Sequence, residues 1–179
     1  MIVLVGSVGS GKTEQGRRLA KYLNCPWLST SQLLRDKPSQ PRHQQMATGE
    51  LVADQAIIEV LEAEFKKIGA ERNEFVLDGA PRSLAQSQWL LAKIKAGEVK
   101  FTAIVCLNVS KEEIFQRLAD RQRTDDQKQV VLRRLEEYQT LTEPALAYLT
   151  QHGLKITEID GNSPIEIVER RIHKALGIK

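Results

Sequence analysis

Eight residues near the start of the chain have the types and spacing to hold phosphate. Gly6-Ser7-Val8-Gly9-Ser10-Gly11-Lys12-Thr13 fits the pattern G-x-x-x-x-G-K-[ST]. Glycines let the backbone take torsions closed to other residues and come close to a ligand. Successive N–H groups then point into a concavity at a helix N-terminus, where the helix dipole favours anions. Lys12 adds a mobile positive charge for the outer phosphates, and Thr13 offers a hydroxyl to Mg²⁺. This chemistry implies a bound nucleotide but names no phosphoryl acceptor.

Other residues could complete a transfer site. Phe75-Val76-Leu77-Asp78 is an apolar run ending in a carboxylate. Beside a phosphate loop such an Asp holds Mg²⁺ directly or through water; alternatively it starts a turn and caps a helix. Gly79-Ala80-Pro81-Arg82 follows, and its Pro fixes a turn that brings Arg82 out at the edge of the sheet. Gln86 lies one helical turn on, so both can face one ligand, and its amide can make two hydrogen bonds to a purine edge. Arg117, Arg121, Arg123 and Arg134 form a basic cluster, with Asp125 and Asp126 inside it. Alone these would be a solvated face of local ion pairs. Beside a phosphate loop, arginines neutralise the charge of a transferring phosphoryl group. No His or carboxylate stands out as a general base, which suits an acceptor that is itself an ionised phosphate.

Elements to position these groups are legible. Apolar runs at 2–5, 26–28, 75–77, 102–107 and 154–159 read as buried strands separated by helical patterns. That alternation predicts an α/β fold with a parallel sheet covered on both faces. The first run leads directly into the phosphate loop, and Gly16, Leu19, Ala20 and Leu23 then recur at helical spacing. Ser110 to Glu113 reads as a capping box, and so does Ser163-Pro164-Ile165-Glu166, with Pro at the first helical position. The second opens a helix with Ile165, Val168, Ile172 and Leu176 on its apolar face. Val131, Leu135, Tyr138, Ala145 and Leu149 share one face of a long helix, kinked near Pro144. Residues 36–42, with two prolines, read as a loop between short helices.

Composition bounds the class. The 179 residues suffice for one domain with a good core. A net charge of +3 and 5% aromatic residues do not argue for nucleic acid. Cys25 and Cys106 match no metal-ligand spacing and read as small buried hydrophobes. No signal peptide or membrane span is legible, so a cytoplasmic protein is expected.

Taken together, these motifs resemble the adenylate kinase family of nucleoside monophosphate kinases, colinearly from Met1 to about Leu176. Residues 6–15 are similar to that family's phosphate loop. Leu28-Ser29-Thr30-Ser31-Gln32-Leu33-Leu34-Arg35 resembles the start of its monophosphate-binding segment, and Thr48-Gly49-Glu50-Leu51-Val52 the end. Leu77-Asp78-Gly79-Ala80-Pro81-Arg82 resembles its signature after the third strand, and Asp160-Gly161-Asn162-Ser163-Pro164 the loop that cradles the ATP adenine. The resemblance implies a P-loop NTPase three-layer sandwich with a five-stranded parallel sheet of order 2-3-1-4-5. It implies one domain over 1–179, with the monophosphate segment at 29–59.

By the same resemblance the enzyme uses Mg²⁺ with ATP, takes ATP and AMP as substrates, and binds no zinc. Lys12, Arg82, Arg121, Arg123 and Arg134 are then catalytic. ATP falls to Gly9, Ser10, Gly11, Lys12, Thr13, Glu14, Arg117, Arg121, Gly161 and Ser163. AMP falls to Thr30, Arg35, Glu50, Leu51, Val52, Gly79, Ala80, Pro81, Arg82, Gln86, Arg123 and Arg134, and Mg²⁺ to Thr13 and Asp78. A cis Ala80–Pro81 bond is also implied.

Four departures from the family pattern stand out. Thr13-Glu14 replaces the usual Gly-Thr, putting an anion in the first helical turn. Ala80 replaces the usual Phe, and the stretch between Arg35 and Gly49 is short. Only Gln122 separates the motifs of Arg121 and Arg123, so the family's lid is reduced to a turn near 121–126. Weaker exclusion of water would follow, unless another subunit or the monophosphate segment covers the site. A kinase for CMP, UMP or GMP, or an ATP-binding switch with little transfer, are the alternatives. Oligomeric state is not legible.

Overall fold

A computed structural model describes residues 1–36, 53–121 and 127–178, without the side chains of Asp120 and Arg121. The expected lid turn at 121–126, Arg123, Glu50, Leu51, Val52 and most of the shortened stretch before Gly49 therefore lie outside the described residues or side chains.

Five strands form one parallel sheet: β1 (Ile2–Gly6), β2 (Trp27–Ser29), β3 (Val76–Asp78), β4 (Ala103–Asn108) and β5 (Ile156–Asp160), in the order β2-β3-β1-β4-β5. That is the expected order, with boundaries one or two residues off. Residues of β1 alternate between two cores. Val3 and Val5 pack with α3 (Asp54–Ile68), α4 (Leu84–Lys95) and α7 (Glu143–Gln151). Ile2 and Leu4 pack with α1 (Lys12–Tyr22) and α8 (Ile165–Leu176). Burying a Val, Ile or Leu side chain contributes roughly 1.5–3 kcal/mol. With all four buried, β1 is a fixed post for the loop that follows it.

α1 leaves β1 on one face and α4 leaves β3 on the other. β1 and β3 are neighbours, with Leu4 opposite Asp78. Connections that depart in opposite directions leave a crevice at the carboxyl ends of the strands, where ligands bind in such sheets. Outside the sheet, α5 (Lys111–Arg121) and α6 (Lys128–Glu137) join through a small core of their own: Ile114, Leu118, Val131 and Leu135.

Several local expectations are corrected. The long helix does not simply kink at Pro144. One turn of π-helix, Tyr138–Thr142, separates α6 from α7, and Pro144 lies in the first turn of α7. A proline has no N–H for the preceding turn, and the wider turn absorbs that loss before the proline is reached. As a result Val131 and Leu135 serve the α5–α6 core, while Leu149 serves the sheet.

Half of the first capping box forms: Ser110 Oγ accepts from the Glu113 N–H at 3.3 Å. Glu113 does not reach back, because its carboxylate accepts from Arg117 at 2.7 Å; Asn162 Oδ1 takes the Ser110 N–H instead. The second box does not form. Pro164 is the N-cap itself, and Ser163 Oγ accepts from Arg171. Ile165 is exposed rather than part of the apolar face, and Cys25 is only half-buried. α2 (Thr30–Asp36) is short, and the rest of the expected loop at 36–42 is outside the described residues.

Candidate functional site

The phosphate loop and the loop of Arg82 follow directly on the carboxyl ends of β1 and β3. After β1 the chain turns through Gly9 (φ 73°) and Gly11 (φ 85°), left-handed conformations that favour glycine. A Cβ on Gly9 would meet Ile114 at 3.0 Å, so α5 closes on the loop from outside. Ser10 N–H bonds back to Ser7 C=O at 3.3 Å, and Lys12 Nζ donates to the same carbonyl at 2.9 Å. Gly11 is the N-cap of α1 and makes no side-chain cap, so the loop and the first helical turn present N–H groups outward.

The two central loops meet directly. Thr13 Oγ1 donates to Asp78 Oδ2 at 2.8 Å. Asp78 is buried, and its other oxygen, Oδ1, has no hydrogen-bond partner among the described residues. A buried carboxylate oxygen without a donor is costly. A hydroxyl beside an unsatisfied carboxylate is a hard-oxygen set that fits Mg²⁺. The arrangement favours the metal reading of Asp78 over a helix cap, since Ser83 caps α4.

On the outer side a cleft of ≈ 490 Å³ runs from Gly9, Gly11 and Lys12 past Arg117 to Ser163 and Ile165. Arg117 crosses it: Nε bonds Glu113 at 2.7 Å, and Nη2 bonds the Gly161 carbonyl at 2.7 Å. Gly161 N–H donates to Asn108 C=O at 2.8 Å, which ties this loop to the end of β4. Asp160 caps the turn by accepting from Asn162 N–H, which holds its carboxyl below the usual range, and Arg171 binds it as well. Buried Gln15 donates from Nε2 to the Ile165 carbonyl at 2.9 Å, fixing α8 to the phosphate-loop helix. The misplaced anion is also resolved: exposed Glu14 accepts from Arg18 at 2.9 Å, one turn along α1.

On the inner side Ala80–Pro81 is a cis peptide, as the resemblance implies. Gly79 takes φ 90°, and a Cβ there would lie 2.6 Å from Thr30 Oγ1, so only glycine fits. Thr30 is buried and donates to the carbonyl of Gly79 at 3.1 Å, binding the end of β2 to this loop. Arg82 Nε donates to the same carbonyl at 2.8 Å. Burial draws the Arg82 guanidinium below the usual arginine range; Asp78 opposes that and Arg134 adds to it. The group stays charged, and an anion would relieve both its desolvation and its repulsion from Arg134.

Gln86 departs from expectation. It is buried, and it does not stand beside Arg82 facing outward. Its Oε1 accepts from the Arg82 backbone N–H at 2.9 Å, and its Nε2 donates to Asp54 Oδ1 at 2.8 Å. Arg35 is exposed at the end of α2. Behind the site, Cys106 Sγ lies 3.4 Å from Tyr138 Oη; burial raises both groups, which stay neutral.

Sequence reasoning gave no side-chain role to Asp54, Gln15, Thr142 or Asn162. For Gln15 a signal existed: it shares a helix face with Leu19, and a polar residue on an apolar stripe implies a buried hydrogen bond. For Thr142, which donates to the Arg82 carbonyl at 3.0 Å, the π turn that aims it leaves no sequence signature.

The family model described as adenylate kinase matches residues 4–154. A protein named adenylate kinase from Xanthomonas oryzae pv. oryzae is 35% identical, with 98% of each chain covered. One of the same name from Nitrobacter hamburgensis is 32% identical over 98% of this chain and 91% of its own. A third, from Xanthomonas campestris pv. campestris, is 34% identical with 98% of each covered.

Proposed function

The chain belongs to the adenylate kinase family, and on that premise we propose how its residues carry the family's reaction, reversible transfer of the ATP γ-phosphoryl group to AMP to give two ADP. The observation that best supports the reading is the meeting of β1 and β3. A loop built for triphosphate ends in Thr13, hydrogen-bonded to the Asp78 that begins the loop of Arg82.

In this reading the amides of residues 9–13 and Lys12 hold the ATP phosphates. Glu14 stays out of their way by pairing with Arg18. Arg117, the Gly161 backbone and Ser163 border the adenosine. Thr13 and Asp78 would hold Mg²⁺, which, when bound, offsets charge on the phosphate oxygens. Thr30, Arg35, Gly79, Ala80, Pro81 and Gln86 form the AMP side with Glu50, Leu51 and Val52. Arg82, Arg35 and Arg123 orient the acceptor phosphate, and Arg121 and Arg134 stabilise the group in flight. The acceptor is an ionised phosphate, so positioning and charge neutralisation do the work and no general base is required.

The monophosphate segment over 29–59 and a lid reduced to the turn at 121–126 belong to the same proposal, as does a cytoplasmic location. Among the described residues no helix is long and apolar enough to cross a membrane. Acceptor choice tests the whole. With Mg·ATP and each of AMP, CMP, UMP and GMP, diphosphate forms fastest with AMP. Equal rates with several acceptors would overturn adenine selection by Gln86. Nucleotide binding without transfer to any acceptor would favour the switch.

A further inference from the structure

We propose that Asp54 is a positioning residue for the acceptor side of the reaction, acting through Gln86 on Arg82. The inference rests on the adenylate kinase reading and adds to it a residue that falls within the 29–59 segment but in none of the motifs quoted above.

Asp54 is the first residue of α3, a helix anchored in the core through Ile57, Leu61 and Phe65. Its Oδ1 accepts two hydrogen bonds, from Ser83 Oγ at 2.7 Å and from Gln86 Nε2 at 2.8 Å. Ser83 is also the N-cap of α4, where its Oγ accepts from the Gln86 N–H at 3.3 Å. One carboxylate oxygen thus fixes both the cap and the first-turn side chain of α4.

Gln86 sits between two partners of opposite and unambiguous kind. The Arg82 N–H can only donate and the Asp54 carboxylate can only accept, so the amide has a single satisfied orientation. Oxygen faces Arg82 and nitrogen faces Asp54. Arg82 is in turn clamped at both ends of its backbone: its N–H by Gln86 at 2.9 Å and its carbonyl by Thr142 at 3.0 Å. The guanidinium that meets the acceptor phosphate therefore inherits its placement from α3 through Asp54, and from the π turn through Thr142. The remaining N–H and lone pair of the Gln86 amide are set in direction by the same lock.

The alternative role for Asp54 is a charge at a helix start, which favours the α3 dipole and nothing more. Asp54→Ala and Asp54→Asn separate the two, because both remove the charge but only Asn keeps an acceptor oxygen in place. Steady-state kinetics with AMP and ATP varied in turn should give Asp54→Ala a KM for AMP raised about tenfold with KM for ATP nearly unchanged, since small displacements of positioning groups cost that much or more. Asp54→Asn should recover most of the AMP KM and lose less thermal stability than Asp54→Ala, which also leaves Ser83 and Gln86 without their acceptor. In a Gln86→Ala background, Asp54→Ala should add little.

Equal AMP KM values for the Ala and Asn variants, or a full additional tenfold on Gln86→Ala, would overturn the proposal. Asp54→Ser, a good helix-starting residue too short to reach Gln86, repeats the test if the Ala variant does not fold. A wild-type protein that fails to phosphorylate AMP would refute the parent reading. Normal AMP transfer with all variants at wild-type KM would refute the role of Asp54 alone.

Discussion

Lys12→Ala lowers phosphoryl transfer by about 10³-fold or more and leaves the protein folded. Both halves follow from where Lys12 sits. Its half-buried ammonium lies at the start of α1 beside the cleft, with Nζ held 2.9 Å from the Ser7 carbonyl. Charge on the transferring group has to be neutralised by groups already in place, and removing one such group typically costs 10²–10³ or more in rate. The structural loss is small by comparison. A hydrogen bond of this kind contributes about 1 kcal/mol, against the roughly 5–15 kcal/mol that hold a domain together. A coupled ADP assay and a thermal melt read the two effects separately. Transfer near the wild-type rate would remove Lys12 from the phosphate site.

Arg82→Met gives the complementary result on the acceptor side. kcat/KM for AMP falls by about 10³-fold, while KM for ATP stays within about threefold, because Arg82 sits on the β3 loop away from the outer cleft. Stability should hardly change. Burial and Arg134 lower the Arg82 pKa, so the folded state disfavours this charge relative to water. Replacing it with an apolar side chain of similar length removes that cost, which offsets the lost bond from Nε to the Gly79 carbonyl at 2.8 Å. Arg82→Lys should not rescue activity, since a lysine lacks the planar fork that grips a phosphate by two bonds. A variant with unchanged AMP kinetics, or one that melts far below wild type, would contradict this account.

Much of the fold was legible because its signals are local. Short apolar runs separated by helical periodicity specify a covered parallel sheet, and a glycine-rich loop between the first strand and helix marks its functional edge. Sheet order came from resemblance, not periodicity, since no local pattern says that β3 lies between β1 and β2. The failures share a cause. Ser110 and Ser163 both carry a cap signature, yet partners outside the four-residue box, Asn162 from another segment and Arg171 two turns along α8, claim the same groups. Gln86 has the spacing to face one ligand with Arg82, but the partner that holds its amide, Asp54, is 32 positions away. Ile165 fitted an apolar stripe by spacing but lies at the helix start, where the stripe runs past the core and borders the cleft. Polar networks are set by tertiary placement, whereas periodicity is set by the chain itself.

This one chain moves a phosphoryl group from ATP to AMP. The most direct measurement uses ATP labelled at the γ-phosphate, with unlabelled AMP and Mg²⁺, and follows where the label goes. It should appear in ADP, in step with loss of ATP and AMP, with little inorganic phosphate released while AMP is present. Label that stays in ATP, or that leaves as inorganic phosphate at the same rate with and without AMP, would contradict the account.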